Sequence, residues 1–369
     1  MKKKTLTCIA AVMTALSLLA GCGNESPAAP AATAEATVTE AAEEPVQEEP
    51  AKEEPAKEEP AQEEVKAEEP EASAAAKSMK DRSGNEIEVP AEVKTIVSMA
   101  PSITRVLIDL GLADQIVCSD TNTQASYGSE LSADVLYMDM MAPDLEKLVA
   151  LAPDIIFTSG MSSKDGVDAF ATVREAGICV ADIPSSTSLE AIKEDLIFIG
   201  TCIGKESEGK KLADEMQADL DKISAIAATI PEEEKKTVLF ELFTPSADYP
   251  TIYTAGPGTY INEMLETAGA INIAKDEASQ WPALTEEAAV GADPQVILTA
   301  DMYTPDVINT ILKMQGWENV TAIKNGAVYQ LNADEVNQPN HHVIDALWDM
   351  AESIYPEYFG EEAALKPAA

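Results

Sequence analysis

From residue 95 onward, short apolar runs alternate with stretches in which apolar residues recur every three or four positions. The runs TIVSMA, QIVCSD, DIIFTSG and ICVADI read as strands, and residues 104–110, 145–151, 167–176 and 189–199 carry helical spacing between them. Strands separated by helices in this way predict βαβ units around a parallel sheet. The pattern restarts at Thr237 with TVLFELF, TIYTAG, QVILTA and AVYQL, and helices are expected over 260–268, 285–289 and 342–355. Between the two sets, Leu212, Met216, Leu220, Ile223 and Ile226 recur at helical spacing. They predict one amphipathic helix over 207–229, roughly 34 Å long at 1.5 Å per residue, which is enough to join two lobes before Pro231 stops it.

The two sets also repeat each other. APSITRVLIDLGLADQIV, from Ala100, and GPGTYINEMLETAGAINI, from Gly256, both place a turn before an amphipathic helix that ends at a glycine, Gly111 or Gly269. DLEKLVALAPDIIF, residues 144–157, and TEEAAVGADPQVIL, residues 285–298, each put a glutamate, Glu146 or Glu287, seven positions before a proline that opens an apolar strand. An acid in a first helical turn is favoured by the helix dipole, but that does not explain why it recurs at the same place in both halves. The expected fold class is α/β, with two Rossmann-like lobes, residues 78–204 and 231–369, joined by a single long backbone helix within 205–230. A ligand cleft is expected between the lobes, where small-molecule sites form.

The first residues set the address. Lys2, Lys3 and Lys4 precede an apolar run over 9–19 that is short for a membrane span, and the segment closes on Leu19-Ala20-Gly21-Cys22. Residues 1–21 read as a signal peptide whose end resembles a bacterial lipobox, which makes Cys22 the lipid anchor. Residues 22–77 read as a disordered acidic tether of repeated Glu, Pro and Ala, with too little apolar surface to offset its ordering entropy. The whole chain carries a net charge of −40. Sixteen Glu against four Lys between Glu25 and Lys77 leave most of that charge in the folded part. Such a surface excludes nucleic acid and limits membrane contact to the lipid. Cys118, Cys179 and Cys202 lack CxxC spacing and read as buried small hydrophobes. The only two histidines, His341 and His342, are adjacent; on a helix they would diverge by about 100° and would not share one metal, which argues against a protein-built metal cage. No GxSxG, HExxH or GxxxxGK[ST] pattern of catalysis or phosphate binding is present.

DRSGNEIEVPAEVKTIVSMAPSITRVLIDLGLADQIV, LEKLVALAPDIIF, WPALTEEAAVGADPQVIL, AIKNGAVYQL and LWDMAESIYPEYF resemble, in order and spacing, the extracytoplasmic substrate-binding proteins of ABC importers for ferric siderophores, cobalamin and haem. The resemblance runs from about Lys80 to Phe359. It implies a non-enzymatic lipoprotein that captures an iron chelate, with a hydroxamate siderophore placed before cobalamin or haem, and delivers it to an ABC permease dimer with its ATPase. A two-lobed enzyme acting on a bound metal cofactor is the alternative of another class. The resemblance assigns permease docking to Glu146 and Glu287, one acid per lobe for a two-fold partner. Ligand candidates are the Pro101-Ser102 turn bordering the cleft with Arg105 beside it, then Tyr137, Met140, Met161, Tyr249 and Tyr303 in loops at strand ends, Trp281, which stands where cobalamin-type relatives carry a contact tryptophan, and His341. Arg105 stands where the family often has glutamate, and is read either as a cation for the ligand or as a solvent-facing charge. No resident cofactor is expected, since the metal enters with the chelate. The protein is expected to be a monomer, tethered outside the cell membrane, and a Gram-positive surface is favoured over a periplasm.

Overall fold

The computed structural model describes residues 76–161, 163, 167–246 and 249–360; these fall in one compact unit. The signal peptide, Cys22 and nearly all of the tether lie outside the described residues. No helix among the described residues is long and apolar enough to cross a membrane.

A hairpin of β1 (Lys77–Lys80) and β2 (Glu86–Val89) opens the fold. Then β3 (Ile96–Met99), β4 (Ile116–Asp120), β5 (Leu136–Met138), β6 (Ile155–Thr158) and β7 (Cys179–Asp182) form a parallel sheet in the order β5-β4-β3-β6-β7. After the long helix come β8 (Thr237–Glu241), β9 (Ile252–Tyr253), β10 (Ile271–Asn272), β11 (Ala283–Leu284), β12 (Val296–Thr299) and β13 (Val328–Gln330). Four of these make a second parallel sheet, β10-β8-β12-β13, while β9 and β11 pair antiparallel beside it. Strands β3, β6 and β12 are buried at every position, as sheets covered by helices on both faces require.

The backbone helix spans Glu206–Ala227 and buries Gly209, Ala213, Met216, Leu220, Ile223 and Ala227 along one stripe. It packs on helix Leu189–Cys202 of the first lobe and on helices Tyr260–Thr267 and Val343–Ile354 of the second. One apolar core therefore runs unbroken through both lobes and the helix, with a smaller cluster on the far face of each sheet. At the first crossing Gly200 and Gly209 bring the backbones together. A Cβ on Gly209 would stand 2.5 Å from the Leu196 carbonyl oxygen and 3.2 Å from the Gly200 Cα. Gly209→Ala is therefore expected to lower the unfolding free energy by about 1–3 kcal/mol through overpacking, seen as a lower urea midpoint at unchanged slope. An unchanged midpoint would show that the two helices separate without cost.

The repeat between the halves extends to backbone detail. Helix Leu145–Leu151 is capped by the Asp144 carboxylate, which accepts from Lys147 N at 3.1 Å, and helix Glu286–Gly291 by the Thr285 hydroxyl, which accepts from Ala288 N at 3.2 Å. Glu146 and Glu287 are each the second helical residue, and two positions on, Leu148 and Ala289 are fully buried. Ala152 and Asp293 then take left-handed conformations (φ 44° and 46°) before Pro153 and Pro294. Asp154 N and Gln295 N donate to the carbonyls of Thr95 and Thr237, which bring in β3 and β8.

Three expectations are corrected. Residues 167–176 form a helix only over Ala171–Glu175, because the Asp168 carboxylate turns the chain at Phe170 N, 2.8 Å away. The final helix starts at Val343 rather than His342. Lys77, placed in the tether, begins a strand. Cys118 and Cys202 are buried, Cys179 is half-buried, and all three are free; burial pushes their thiols up to about 11, 12 and 11 respectively, so none is a thiolate at neutral pH.

Candidate functional site

Each sheet has one point where strand order reverses, between β3 and β6 in the first lobe and between β8 and β12 in the second. Loops leaving the carboxyl ends of the strands diverge there, and open α/β sheets hold ligands in the resulting crevice. The connections in question start at Ala100, Ser159, Leu242 and Ala300; Pro101 and Ser102 open the helix Pro101–Asp109 that follows the first, and the other three contain Met161, Tyr249 and Tyr303. Ser102, Ser159, Pro184 and Ser186 of the first lobe line one small recess together with Pro339 of the second, so the carboxyl ends of the first sheet face the other lobe.

Burial supports the same location. Among the described residues, the large apolar side chains that are more than a third exposed are Leu136, Met161, Val167, Tyr249, Met302, Tyr303 and Ile308. Five of the seven lie in the loops after β6, β8 and β12, with Met161 43 %, Tyr249 52 % and Met302 59 % exposed. Leaving such groups in water is unfavourable by roughly 25 cal/mol per Å² relative to burial, and their concentration in the loops that leave the strands at the two reversals is the pattern of a surface that a ligand covers. Phe243 and Tyr303 stack with ring centroids 6.3 Å apart. Val167, Met302 and Phe243 escaped the sequence reading. The signal for Met302 was available in ADMYTP, where two large apolar residues follow a strand end inside a turn.

Beneath these loops the floor is polar and ordered. In the first lobe Thr104 Oγ1 donates to Ser98 Oγ at 2.8 Å, Ser119 Oγ to the Ser98 carbonyl at 2.8 Å, and Thr123 Oγ1 to Asp120 at 2.6 Å, with all five residues fully buried. In the second lobe Glu241 ends β8 at 1 % exposure; burial and then the neighbouring Asp301 charge push its carboxyl up to about 8.

Other expected residues take different places. Trp281 is half-buried against the main core, on a segment held to its neighbour by Gly256 N to Gln280 O at 2.7 Å and Thr254 N to Pro282 O at 3.2 Å. Tyr137 and Met140 belong to the edge of the first sheet, away from its reversal. Tyr137 packs on the main core, and the Met140 sulfur accepts from Asn122 Nδ2 at 3.4 Å.

Arg105 corrects both alternatives left open for it. Its guanidinium is neither a solvent-facing charge nor spare for a ligand, because it pairs with Asp109 and with Glu130 Oε1 at 2.9 Å and lies 5.1 Å above the Tyr127 ring. His341 and His342 correct the geometric premise. They precede the helix, on a turn held by His342 N donating to Asn340 Oδ1 at 2.8 Å, and their rings converge with centroids 4.4 Å apart instead of diverging. Both reach Asp109. Burial alone would raise the Asp109 carboxyl, but hydrogen bonds from His341, His342 and Arg105 override it and hold it well below the usual range. Ser126 Oγ to Asp334 at 2.7 Å and Tyr127 OH to Gln338 at 2.6 Å continue this seam between the lobes.

Glu146 and Glu287 are exposed, and neither carboxylate is engaged among the described residues.

Comparison with known proteins agrees with this fold. The periplasmic binding protein family matches residues 96–335. An uncharacterised ABC transporter substrate-binding lipoprotein, YvrC, of Bacillus subtilis (strain 168) is 33% identical over 284 residues, covering 77% of this chain and 87% of its own. A cobalamin-binding protein of Halobacterium salinarum (strain ATCC 29341 / DSM 671 / R1) is 28% identical over 283 residues, covering 74% of this chain and 73% of its own. The crystal structure of a possible iron-binding, periplasmic solute-binding protein of Staphylococcus epidermidis ATCC 12228 superposes with a TM-score of 0.60 at 26% identity, over 72% of this chain and 99% of that one. With two lobes, a crevice at paired strand reversals and a family match over most of the folded part, this chain belongs to the periplasmic binding protein family.

Proposed function

We propose that the chain captures a large metal chelate of low net charge in the crevice between its lobes and hands it to an ABC permease, which works with its ATPase. Proteins of this family are transport solute-binding proteins and not enzymes. The observation that carries the chelate reading is the exposed apolar rim of Met161, Val167, Tyr249, Met302 and Tyr303, combined with an Arg105 already neutralised by carboxylates. Flat aromatic and polarisable Met surfaces suit an amphipathic chelate, while a triply anionic catecholate finds no spare arginine there. A ferric hydroxamate fits these terms. A corrinoid fits them equally, and the relative described as a cobalamin-binding protein favours it. The unbroken core through the backbone helix supports capture by a largely preformed cleft with little closure.

Release to the permease is assigned to Glu146 and Glu287, which stand at matching positions of the two lobes. Attachment to the membrane through Cys22, with the acidic segment as tether, is supported by the lipoprotein description of the B. subtilis relative, and a Gram-positive surface remains the favoured setting.

The test is a tryptophan-fluorescence titration of the soluble chain with ferric hydroxamates, cobalamin and haem. Trp317 and Trp348 are 1 % and 4 % exposed, whereas Trp281 is half-buried, so Trp281 is the tryptophan most open to a bound chelate. Saturable quenching by one chelate, reduced in Trp281→Phe and weakened about tenfold or more in Tyr303→Ala, is the expected result. Absence of binding by every chelate would end the chelate reading.

A further inference from the structure

Asp109 of the first lobe meets His341 and His342 of the second on the seam between the lobes. His341 Nε2 lies 3.0 Å and His342 Nε2 2.9 Å from the same atom, Asp109 Oδ2. Arg105 Nε donates to that oxygen as well, at 2.9 Å. Three nitrogens thus crowd one carboxylate oxygen, which has about two lone pairs to offer. His341 Nδ1 is buried without a partner, so a doubly protonated His341 would bury a bare N–H. His342 is oriented from behind, with Nδ1 2.9 Å from Asp345 Oδ2. That carboxylate–histidine pairing is the one that fixes the tautomer of a metal-binding imidazole and presents its other nitrogen to the ion.

We infer that Asp109, His341 and His342 form a binding site for a divalent transition cation of the zinc class, which clasps the first lobe to the second. Two imidazoles and one carboxylate converging from one side are a sufficient donor set for such an ion, with water completing the shell. His342 and Asp109 are partly exposed, 36 % and 24 % at their side chains, which leaves room for that water. The nitrogen–oxygen separations need only widen to about 3.3 Å to span a tetrahedral ion with bonds of about 2.0 Å, a change that side-chain rotation provides. Arg105 steadies Asp109, and Glu130, Asp345 and Glu335 surround the cluster with further negative charge. On binding, the ion takes the lone pairs of both Nε2 atoms, and any proton held there leaves to solvent. Asp109 ends the helix Pro101–Asp109 whose first residues border the crevice, so the ion would tie that helix to the turn before Val343–Ile354.

The test uses the soluble chain after stripping with a chelator, titrated with Zn²⁺ and, for a spectroscopic signature, with Co²⁺. Excess Mg²⁺ is present to occupy loose carboxylates of the acidic surface. The expected result is one equivalent bound with micromolar or tighter affinity, ligand-field bands for Co²⁺ with nitrogen donors, and a thermal midpoint raised by Zn²⁺. His341→Gln and Asp109→Asn should each weaken binding at least tenfold and remove the thermal shift. If Asp109→Asn unfolds because Arg105 loses its partner, His341→Gln decides alone, since that ring has no Nδ1 partner to lose. No saturable Zn²⁺ binding over Mg²⁺, or binding that survives both substitutions, overturns the site. Neither outcome bears on chelate capture, which the fluorescence titration reads separately.

Discussion

Reversing both exposed glutamates, Glu146→Lys with Glu287→Lys, is expected to abolish chelate import by cells while leaving the affinity of the purified chain for its chelate unchanged. Both carboxylates lie on short capped helices at matching positions, and neither is engaged among the described residues. Their replacement therefore breaks nothing inside the fold beyond a helix-dipole contribution of about 0.3–1 kcal/mol each. At a two-fold membrane partner the same acids would meet basic groups, where charge-assisted hydrogen bonds fix orientation more than they add affinity. Lysine in both places turns attraction into like-charge repulsion, so the effect on transport is near complete although the effect on stability is small. The single variants should fall between. The measurement pairs uptake in cells lacking the native gene with titration of the purified variant. Undiminished uptake by the double variant would remove the docking role, and lost chelate binding would show that the residues serve the crevice instead.

Glu241→Gln is expected to make the protein more stable at neutral and alkaline pH, by an amount that grows as pH rises. The Glu241 carboxyl is 1 % exposed, and its Oε1 has no partner. Burial first, and then the charge of Asp301, raise its pKa from 4.5 to about 8. In the unfolded chain the proton leaves near 4.5, so between there and about 8 the folded state holds one proton more than the unfolded state. Stability contributed at this position is complete below pH 4.5 and declines through the window at about 1.4 kcal/mol per pH unit. The loss accumulates to on the order of 4 kcal/mol, an upper figure because water entry and relaxation reduce it. Glutamine has no proton to lose and flattens the profile. Denaturant midpoints of both chains from pH 5 to pH 8 should diverge steadily; parallel profiles would mean that Glu241 is ionised throughout.

The strand ends that flank the candidate crevice were legible because their elements are local. Apolar runs set the strands, and the residue types that end them set the loops, so Pro101, Ser102, Met161, Tyr249 and Tyr303 could be placed at strand ends from the sequence. Tyr137 and Met140 were indistinguishable from them by the same rule. Only the strand order, with β5 at the sheet edge, separates a loop at the reversal from a loop beside it. Val167 was read as part of a helix, and its exposure follows from the Asp168 turn that delays that helix to Ala171.

The sequence by itself determined the two-lobed α/β division, the long joining helix and the repeat of Glu146 in Glu287, since each depends on periodicity and spacing within a few tens of residues. The tertiary structure alone decided the partners of Arg105, the convergence of His341 and His342 on Asp109, and the burial of Glu241 beside Asp301. Asp109 and His342 are 233 positions apart, and no local pattern encodes a contact at that range. Such a contact exists because the backbone helix packs both lobes onto one core, bringing charged groups from distant segments within hydrogen-bond reach of one another.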